Sequence, residues 1–111
     1  MSCIFCNILR SNDKSKWIYE TDKCCCFPDI DPKAPVHLLV IPKLHIESLS
    51  DVSSENADFI SDIFSSIPKI ISKVGLKSYR LVSNNGEDAG QSVMHVHFHI
   101  LGGRSLGWSP G

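Results

Sequence analysis

The chain has 111 residues, of which 42% are hydrophobic and 21% charged, which is enough for one compact domain with one core. The formal net charge of −1 excludes the broad basic surface that holds long nucleic acids, and no stretch is apolar enough to cross a membrane. Five cysteines, three of them consecutive, indicate a reducing compartment, and the N-terminus lacks a secretory pattern. We therefore expect a single soluble domain over residues 1–111, located in the cytoplasm or the nucleus.

The first half of the chain predicts a short helix, a hairpin and a third strand. Apolar residues at helical spacing indicate the helix over residues 4–9. Residues 17–19 and 24–27 are typical of a hairpin, and the buried cysteines of its second strand would serve packing. Three prolines make residues 28–35 a loop, and the apolar segment 37–41 predicts the third strand, which stops at a proline.

The second half contains the longest predicted element, an amphipathic helix. Its apolar residues fall on one stripe over residues 59–74. Ser53 or Ser54 is the expected N-cap, and Gly75 fits just past the C-terminal end. Pro68 lacks an amide donor and is expected to kink or divide the helix.

Two further strands, over residues 79–83 and 94–101, flank a polar loop at residues 84–90. Together these elements predict an α+β domain. About five antiparallel strands would pack against one main helix, with a second, short helix at the N-terminus.

Three histidines alternate strictly with apolar residues in the last predicted strand. Side chains alternate between the two faces of a strand, so His95, His97 and His99 would share one face and look into a cleft. The opposite face would pack on the core. Its residues are Met94, Val96, Phe98 and Ile100.

A metal ion shared by all three histidines is one alternative to catalysis. Strand rise separates the outer pair by about 13 Å, whereas zinc–nitrogen bonds are near 2 Å, so one ion cannot easily bind all three. The other alternative is a half-exposed strand whose histidines simply face solvent. Three histidines at every second position favour this interpretation less than a single histidine would. Imidazole suits phosphoryl chemistry, because the neutral ring is a nucleophile and the protonated ring donates to phosphate.

The segment 90–104 (GQSVMHVHFHILGGR) resembles the signature of the histidine triad (HIT) superfamily. The Gly-Gln-Ser tripeptide before the histidines and the Gly-Gly-Arg tripeptide after them are similar to the HINT branch in particular. The resemblance also extends through residues 29–45 (DIDPKAPVHLLVIPKLH). It implies the HIT fold and a hydrolase or transferase acting on adenosine 5′-phosphoramidates. His97 would be the nucleophile and would form a nucleotidyl-histidine intermediate.

The resemblance also implies a role for each residue around His97. The carbonyl of His95 would orient the His97 ring, His99 would contact phosphate with His37 behind it, and the Ser92 hydroxyl would assist departure of the amine. Asp29 would bind the ribose hydroxyls, Ile30 would pack on the purine, and Asn84 would help hold the phosphate end. Without the resemblance, Asp29 and residues 84–86 would be interpreted as turn residues. The implied nucleotide-binding residues are Asp29, Ile30, Asn84, Gly90, Gln91, Ser92, His97 and His99.

Alternatives inside and outside the resemblance differ in single features. The galactose-1-phosphate uridylyltransferase branch has glutamine at the position of the third histidine. Fhit-like dinucleoside polyphosphate hydrolases lack the Gly-Gly-Arg tripeptide after the histidines. A non-catalytic nucleotide-binding scaffold would keep the same fold. The implied partners are a purine nucleoside monophosphate or phosphoramidate and a second copy of the chain in a C2 homodimer.

Cys3 and Cys6 are spaced so that a helix would bring both thiols to one side. Alone, such a pair is more often packing than ligand. Zinc-binding HIT proteins are similar to this sequence in having a Cys-x-x-Cys pair, a histidine after the Ile-Pro-Lys strand and the first triad histidine. The resemblance therefore implies a closed, structural zinc site at Cys3, Cys6, His45 and His95.

Overall fold

A computed structural model describes residues 3–111 and contains the predicted five-stranded antiparallel sheet with two helices. The strand order is β1-β2-β3-β5-β4. Within residues 3–111, none of the helices has the length and apolar character that a membrane crossing requires. The elements are α1 (Ile4–Arg10), β1 (Tyr19–Glu20), β2 (Cys24–Pro28), β3 (Val36–Pro42), α2 (Ala57–Val74), β4 (Tyr79–Val82) and β5 (Phe98–Gly102).

The two helices cover opposite faces of the sheet. Cys24 and Cys26 pack in the core cluster on the α2 side, whereas Cys25 packs in the cluster that contains Phe5 of α1. All three thiols are fully buried, which confirms the prediction that these cysteines serve packing. Burial raises the pKa of the Cys25 and Cys26 thiols to about 12, so neither is a reactive thiolate.

Helix α2 differs from its prediction at the start and in the middle. Asn56 is the residue before the first helical position, so the prediction of Ser53 or Ser54 as N-cap is wrong. The helix continues through Pro68 without division, because its apolar stripe stays packed on the sheet on both sides of the proline. Gly75 ends the helix in the left-handed region with φ 76°, as predicted. The buried residues of the stripe are Ile63, Ile67, Ile70 and Ile71.

Strand β5 begins at Phe98, four residues later than predicted. The preceding backbone turns at residue 93, where the amide of His95 donates to the carbonyl of Val93 over 2.9 Å. The amide of Val96 then donates to the carbonyl of Ile46 over 2.7 Å, a partner outside the sheet. The alternation of histidines and apolar residues therefore begins before the first residue of β5.

The alternation still sorts side chains between two environments, with two corrections. Val96 and Phe98 are buried against the α2 side, as predicted, but Met94 is 45% exposed and lies outside the core. His95 is fully buried and so does not look into the cleft, because the turn at residue 93 directs it toward α1 and Phe5. His97 and His99 do line a cleft.

Candidate active site

His97 has one ring nitrogen held by the backbone and the other left for a ligand. Its Nδ1 lies 2.8 Å from the carbonyl oxygen of His95, so the hydrogen-bond partner assigns the proton to Nδ1. The Nε2 lone pair is then free. The ring packs edge-on to Phe5 at a centroid distance of 5.1 Å, and the His97 carbonyl accepts a 2.8 Å bond from the Ser83 hydroxyl. These contacts orient the His97 ring and leave its Nε2 without a partner in the site.

His99 and His37 are coupled across neighbouring strands. In the β3–β5 register His37 pairs with Leu101 and His99 pairs with Leu39, which makes the two histidines diagonal neighbours on one face. The amide of Lys33 donates to His37 Nδ1 over 2.9 Å, so His37 carries its proton on Nε2. That nitrogen lies 2.9 Å from His99 Nδ1, which leaves the His99 proton on Nε2.

Burial keeps this histidine pair uncharged at neutral pH. It lowers the pKa of His99 to about 4, with further lowering from His97 and His37 and opposition from Asp29. It also lowers the pKa of His37, again against the carboxylate of Asp29. Asp29 Oδ2 lies 3.3 Å from His37 Nε2, while Oδ1 accepts the amide of Asp31 over 2.8 Å. Asp29 therefore closes a turn, as its neighbourhood in sequence suggests, and also faces the histidines.

A cavity of about 660 Å³ lies between α1 and the sheet, beside His97. One wall is apolar, and the polar residues Asp13, Ser15 and Lys16 also line the cavity. Ile30, which is 99% exposed, lies at its edge. The apolar wall consists of Ile4, Phe5, Ile8, Trp17, Phe27, Leu39 and Val93.

A second, more polar cavity of about 400 Å³ adjoins the first. Asp29, Ser92 and His99 line both, so the two cavities meet at these residues. Asn84 and His37 line the second, together with Lys33. A ligand that enters both would therefore meet an apolar compartment, a carboxylate and a histidine-rich polar compartment in turn.

Two of the predicted nucleotide-binding residues support the loop and line neither cavity. Gln91 is buried, and its side-chain oxygen accepts the amide of Gly86 while its nitrogen donates to the carbonyl of Glu47 over 2.7 Å. Gly90 adopts φ 95° beside Asn84, where a Cβ would approach the Asn84 amide to 3.5 Å. Both residues thus fix the shape of the turn that presents Ser92.

Several residues of the site have no counterpart in the sequence prediction. Phe5, Phe27 and Leu39 form much of the apolar wall, and Lys33 lines the second cavity and donates its backbone amide to His37. Leu39 follows His37 by two positions in one strand, so period-two alternation could have placed it on the same face. Phe5 reaches the site through the packing of α1, for which the sequence contains no local signal.

Cys3, Cys6, His45 and His95 converge near the first turn of α1, at the other end of the histidine segment. The Nδ1 atoms of His45 and His95 are 3.2 Å apart, and Cys6 Sγ lies 3.2 Å from the first and 3.6 Å from the second. Cys3 Sγ lies 3.4 Å from His95 Nδ1. A tetrahedral zinc site with these ligands has edges of about 3.3–3.8 Å, so the four side chains fit that ion.

The surroundings of His95 favour a ligand role for its Nδ1. Its Nε2 lies 3.0 Å from the carbonyl of Pro42, which assigns the proton there and leaves the Nδ1 lone pair toward the thiols. Burial also lowers the pKa of His95 and so favours the neutral, ligating ring. The predicted zinc ligands are thus brought together on atoms that can bind a metal.

Comparison with known proteins agrees with this architecture. The HIT domain family matches residues 10–106. A HIT-like protein of Synechococcus elongatus is 42% identical over 97% of this chain and 96% of its own length. The crystal structure of a HIT family hydrolase from Legionella pneumophila has a TM-score of 0.92 at 38% identity, covering 99% of this chain and 100% of that one.

A histidine triad nucleotide-binding protein from Candida albicans is also similar, with a TM-score of 0.82 and 36% identity over 96% of this chain and 82% of that one. The match covers β1 to β5 and all three histidines of the segment. The chain therefore belongs to the HIT domain family.

Proposed function

We propose that this protein is a HINT-like nucleotide hydrolase that cleaves purine nucleoside 5′-phosphoramidates through a nucleotidyl-histidine intermediate on His97. The observation that carries the proposal is the free Nε2 of His97, which the His95 carbonyl bond leaves unengaged beside a cavity. The names of the relatives from Legionella pneumophila and Candida albicans, a hydrolase and a nucleotide-binding protein, support the same class.

The two cavities match the parts of a nucleotide. The apolar compartment suits a purine, and Ile30 at its edge would cover the base. Asp29, an acceptor at the junction, suits the ribose hydroxyls, and Ser92 and His99 beyond it suit the phosphate. His99, with its proton on Nε2, would donate to a phosphate oxygen while remaining uncharged.

The reaction divides into two displacements at phosphorus. His97 Nε2 forms a bond to phosphorus, and the phosphorus–nitrogen bond of the substrate breaks, with the electron pair leaving on nitrogen. The amine gains a proton through the Ser92 hydroxyl. Water then attacks the nucleotidyl-histidine, restores neutral His97 and returns a proton to the site. The sum is phosphoramidate plus water to amine plus nucleoside monophosphate.

Zinc fits the cluster of Cys3, Cys6, His45 and His95, and we propose a structural role for it. When bound, the ion cross-links α1 to the segment that precedes β5. Ile4 and Phe5, which line the larger cavity, lie between the two cysteines in sequence. The metal site would therefore fix one wall of the nucleotide cavity without using His97.

We further propose that the chain acts as one HIT domain over residues 1–111, forms a C2 homodimer, and works in the cytoplasm or the nucleus. Strand β4 is an outer strand, so its free edge and the half-exposed Tyr79 are available to a second copy. Trp108 near the C-terminus is 83% exposed and offers further apolar surface. Light scattering during gel filtration would distinguish a dimer from a monomer.

Hydrolysis of adenosine 5′-phosphoramidate by wild type and by His97→Ala tests the proposed activity. We expect turnover by wild type, a loss of at least about 10³-fold in His97→Ala, and an adenylyl adduct in quenched wild type only. Full activity of His97→Ala would exclude this residue as nucleophile. AMP binding without turnover by wild type would indicate a scaffold, and a preference for dinucleoside polyphosphates would indicate a Fhit-like hydrolase.

A further inference from the structure

Local backbone geometry at the start of α1 brings the thiols of Cys3 and Cys6 together. Cys3 is the N-cap of the helix and has an extended backbone, and the amide of Cys6 donates to its Sγ over 3.3 Å. The sulfur of Cys3 is thereby held over the first turn, within 4.8 Å of the sulfur of Cys6. A Cys-x-x-Cys pair in this arrangement can close a disulfide, whose S–S bond is about 2.05 Å long.

The two thiols can be reached from solvent, in contrast to the three consecutive cysteines of β2. Cys3 and Cys6 are both partly exposed, and the neighbouring His45 is exposed, whereas residues 24–26 are fully buried. Burial also raises the pKa of each thiol in residues 24–26, which keeps these thiols in the unreactive protonated form. Oxidation by a small oxidant should therefore be confined to Cys3 and Cys6.

A ring nitrogen that can accept a proton lies beside both thiols. Nδ1 of His95, whose proton is assigned to Nε2, lies 3.4 Å from Cys3 Sγ and 3.6 Å from Cys6 Sγ. A thiol must lose its proton before it attacks, because the thiolate is the nucleophile. The metal-free protein therefore holds two adjacent, accessible thiols and an acceptor for the proton of the first to react.

We propose that Cys3 and Cys6 are a site of reversible oxidation by hydrogen peroxide, and that the disulfide they form and a bound metal ion exclude each other. One thiolate attacks a peroxide oxygen, becomes a sulfenic acid and releases the other oxygen as water. The second thiolate displaces hydroxide from that sulfur, which leaves as a second water, and the S–S bond forms. The two sulfurs together lose two electrons, which the oxygen–oxygen bond gains.

The exclusion rests on the proposed zinc site, whereas the disulfide does not. Zinc binds thiolates, and a disulfide contains none, so its closure removes two of the four potential ligands. The released ion keeps its charge and takes no part in the electron transfer. The disulfide joins two residues at the start of α1, whereas the ion would join α1 to His45 and His95. Oxidation thus replaces a long-range link with a local one.

Peptide mapping of metal-stripped protein after treatment with hydrogen peroxide tests the disulfide. Free thiols are blocked with iodoacetamide in denaturant before tryptic digestion, which yields residues 1–10 with both cysteines in one peptide. We expect this peptide to be unblocked and two hydrogen atoms lighter, and to be blocked twice when the protein is first reduced. Residues 24–33 should carry three blocked thiols throughout. Two blocked thiols in residues 1–10 after peroxide, or a disulfide to residues 24–26, would overturn the site.

Cys3→Ser and Cys6→Ser form a matched pair of controls. Each variant leaves one thiol without a partner, so its sulfenic acid should continue to sulfinic acid, and residues 1–10 should gain two oxygen atoms. The wild-type peptide should gain oxygen at least about tenfold more slowly, because the disulfide forms first. Equal rates of oxygen gain in wild type and variants would overturn the pairing even if a variant is less stable.

Cobalt binding tests the exclusion. Reduced, metal-stripped protein should develop thiolate-to-cobalt charge transfer, peroxide-treated protein should show none, and reduction followed by desalting should restore it. Zinc-loaded protein should form the disulfide at least about tenfold more slowly than metal-stripped protein, since the ion holds both thiolates. Equal charge transfer or equal rates would overturn the exclusion. If reduced protein binds no metal, the zinc site and the exclusion fail together, and peptide mapping still decides the disulfide. None of these measurements depends on nucleotide turnover.

Discussion

The two ends of the histidine segment use the same residue type in opposite ways. His95 is fully buried and directs its Nδ1 at two thiols and another imidazole, so it belongs to a cluster of four potential metal ligands. His99 lines an open cavity and directs its Nδ1 at His37. Both rings are assigned the same tautomer, with the proton on Nε2. The two rings therefore differ in the partner of Nδ1 and in the exposure of Nε2. These two features decide whether a ring has a structural role or faces a ligand.

His97 lies between these ends and has the opposite tautomer. Its Nδ1 donates to the carbonyl of His95, which belongs to the cluster of potential metal ligands. Under the proposed function, the backbone of His95 orients the nucleophile, and the side chain of His99 acts with it on the phosphate. Separation of the two functions can be tested by changing each end in turn.

Removal of metal from the His95 end should have the largest effect on stability. Metal bound only by the folded state adds about 4 kcal/mol when free zinc exceeds its Kd a thousandfold. We therefore expect chelation, or Cys3→Ser with Cys6→Ser, to lower the melting temperature by about 15 °C or more. Serine at position 3 can still accept the Cys6 amide that the Cys3 thiol now caps, so lost capping would not explain the change.

Thiol counting supplies a control for this prediction. After chelation two of the five thiols should react with a disulfide reagent, while Cys24, Cys25 and Cys26 stay protected, since burial raises the pKa of each. Reaction of all five would mean that chelation unfolds the core. An unchanged melting temperature in metal-free protein would contradict a structural role for the cluster.

A matched pair of glutamine variants should separate the two ends. His99→Gln should lower kcat for adenosine 5′-phosphoramidate about 100-fold, because a flexible amide N–H replaces the fixed imidazole N–H as the donor to the phosphate. Its melting temperature should change little, since the glutamine oxygen can accept the His37 Nε2–H. His95→Gln should instead lower the melting temperature and zinc content. Equal effects of the two variants on stability would contradict the division.

For the two ends of the histidine segment, the sequence predicted local features better than contacts between distant residues. Period-two alternation sorted Val96 and Phe98 from the histidines, although only residues from Phe98 onward form a strand. It could not show that the chain turns at residue 93, because the partner of Val96 is the carbonyl of Ile46, far along the sequence. The family resemblance implied the zinc ligands, and the structure brings those four residues together.

The residues that form the apolar wall of the cavity could not be predicted from the sequence for a related reason. Phe5 reaches His97 because α1 packs across the sheet, and packing of one helix over another layer leaves no short-range pattern. The supporting role of Gln91 was also hidden, since both ends of its amide bind backbone groups of other loops. Residue type predicted what the site contains, and long-range packing decided which atoms face the ligand.

The smallest predicted effect concerns Ser83, which ties the end of β4 to the His97 carbonyl. Ser83→Ala removes one hydrogen bond and should lower the free energy of unfolding by about 1 kcal/mol, measured by urea denaturation with zinc bound. The His97 ring is held separately, by the His95 carbonyl and Phe5, so kcat should fall less than about threefold. Ser83→Thr keeps the hydroxyl and should restore stability. A 100-fold loss of kcat in Ser83→Ala, rescued by threonine, would show instead that the nucleophile is oriented from β4 as well as from the metal end.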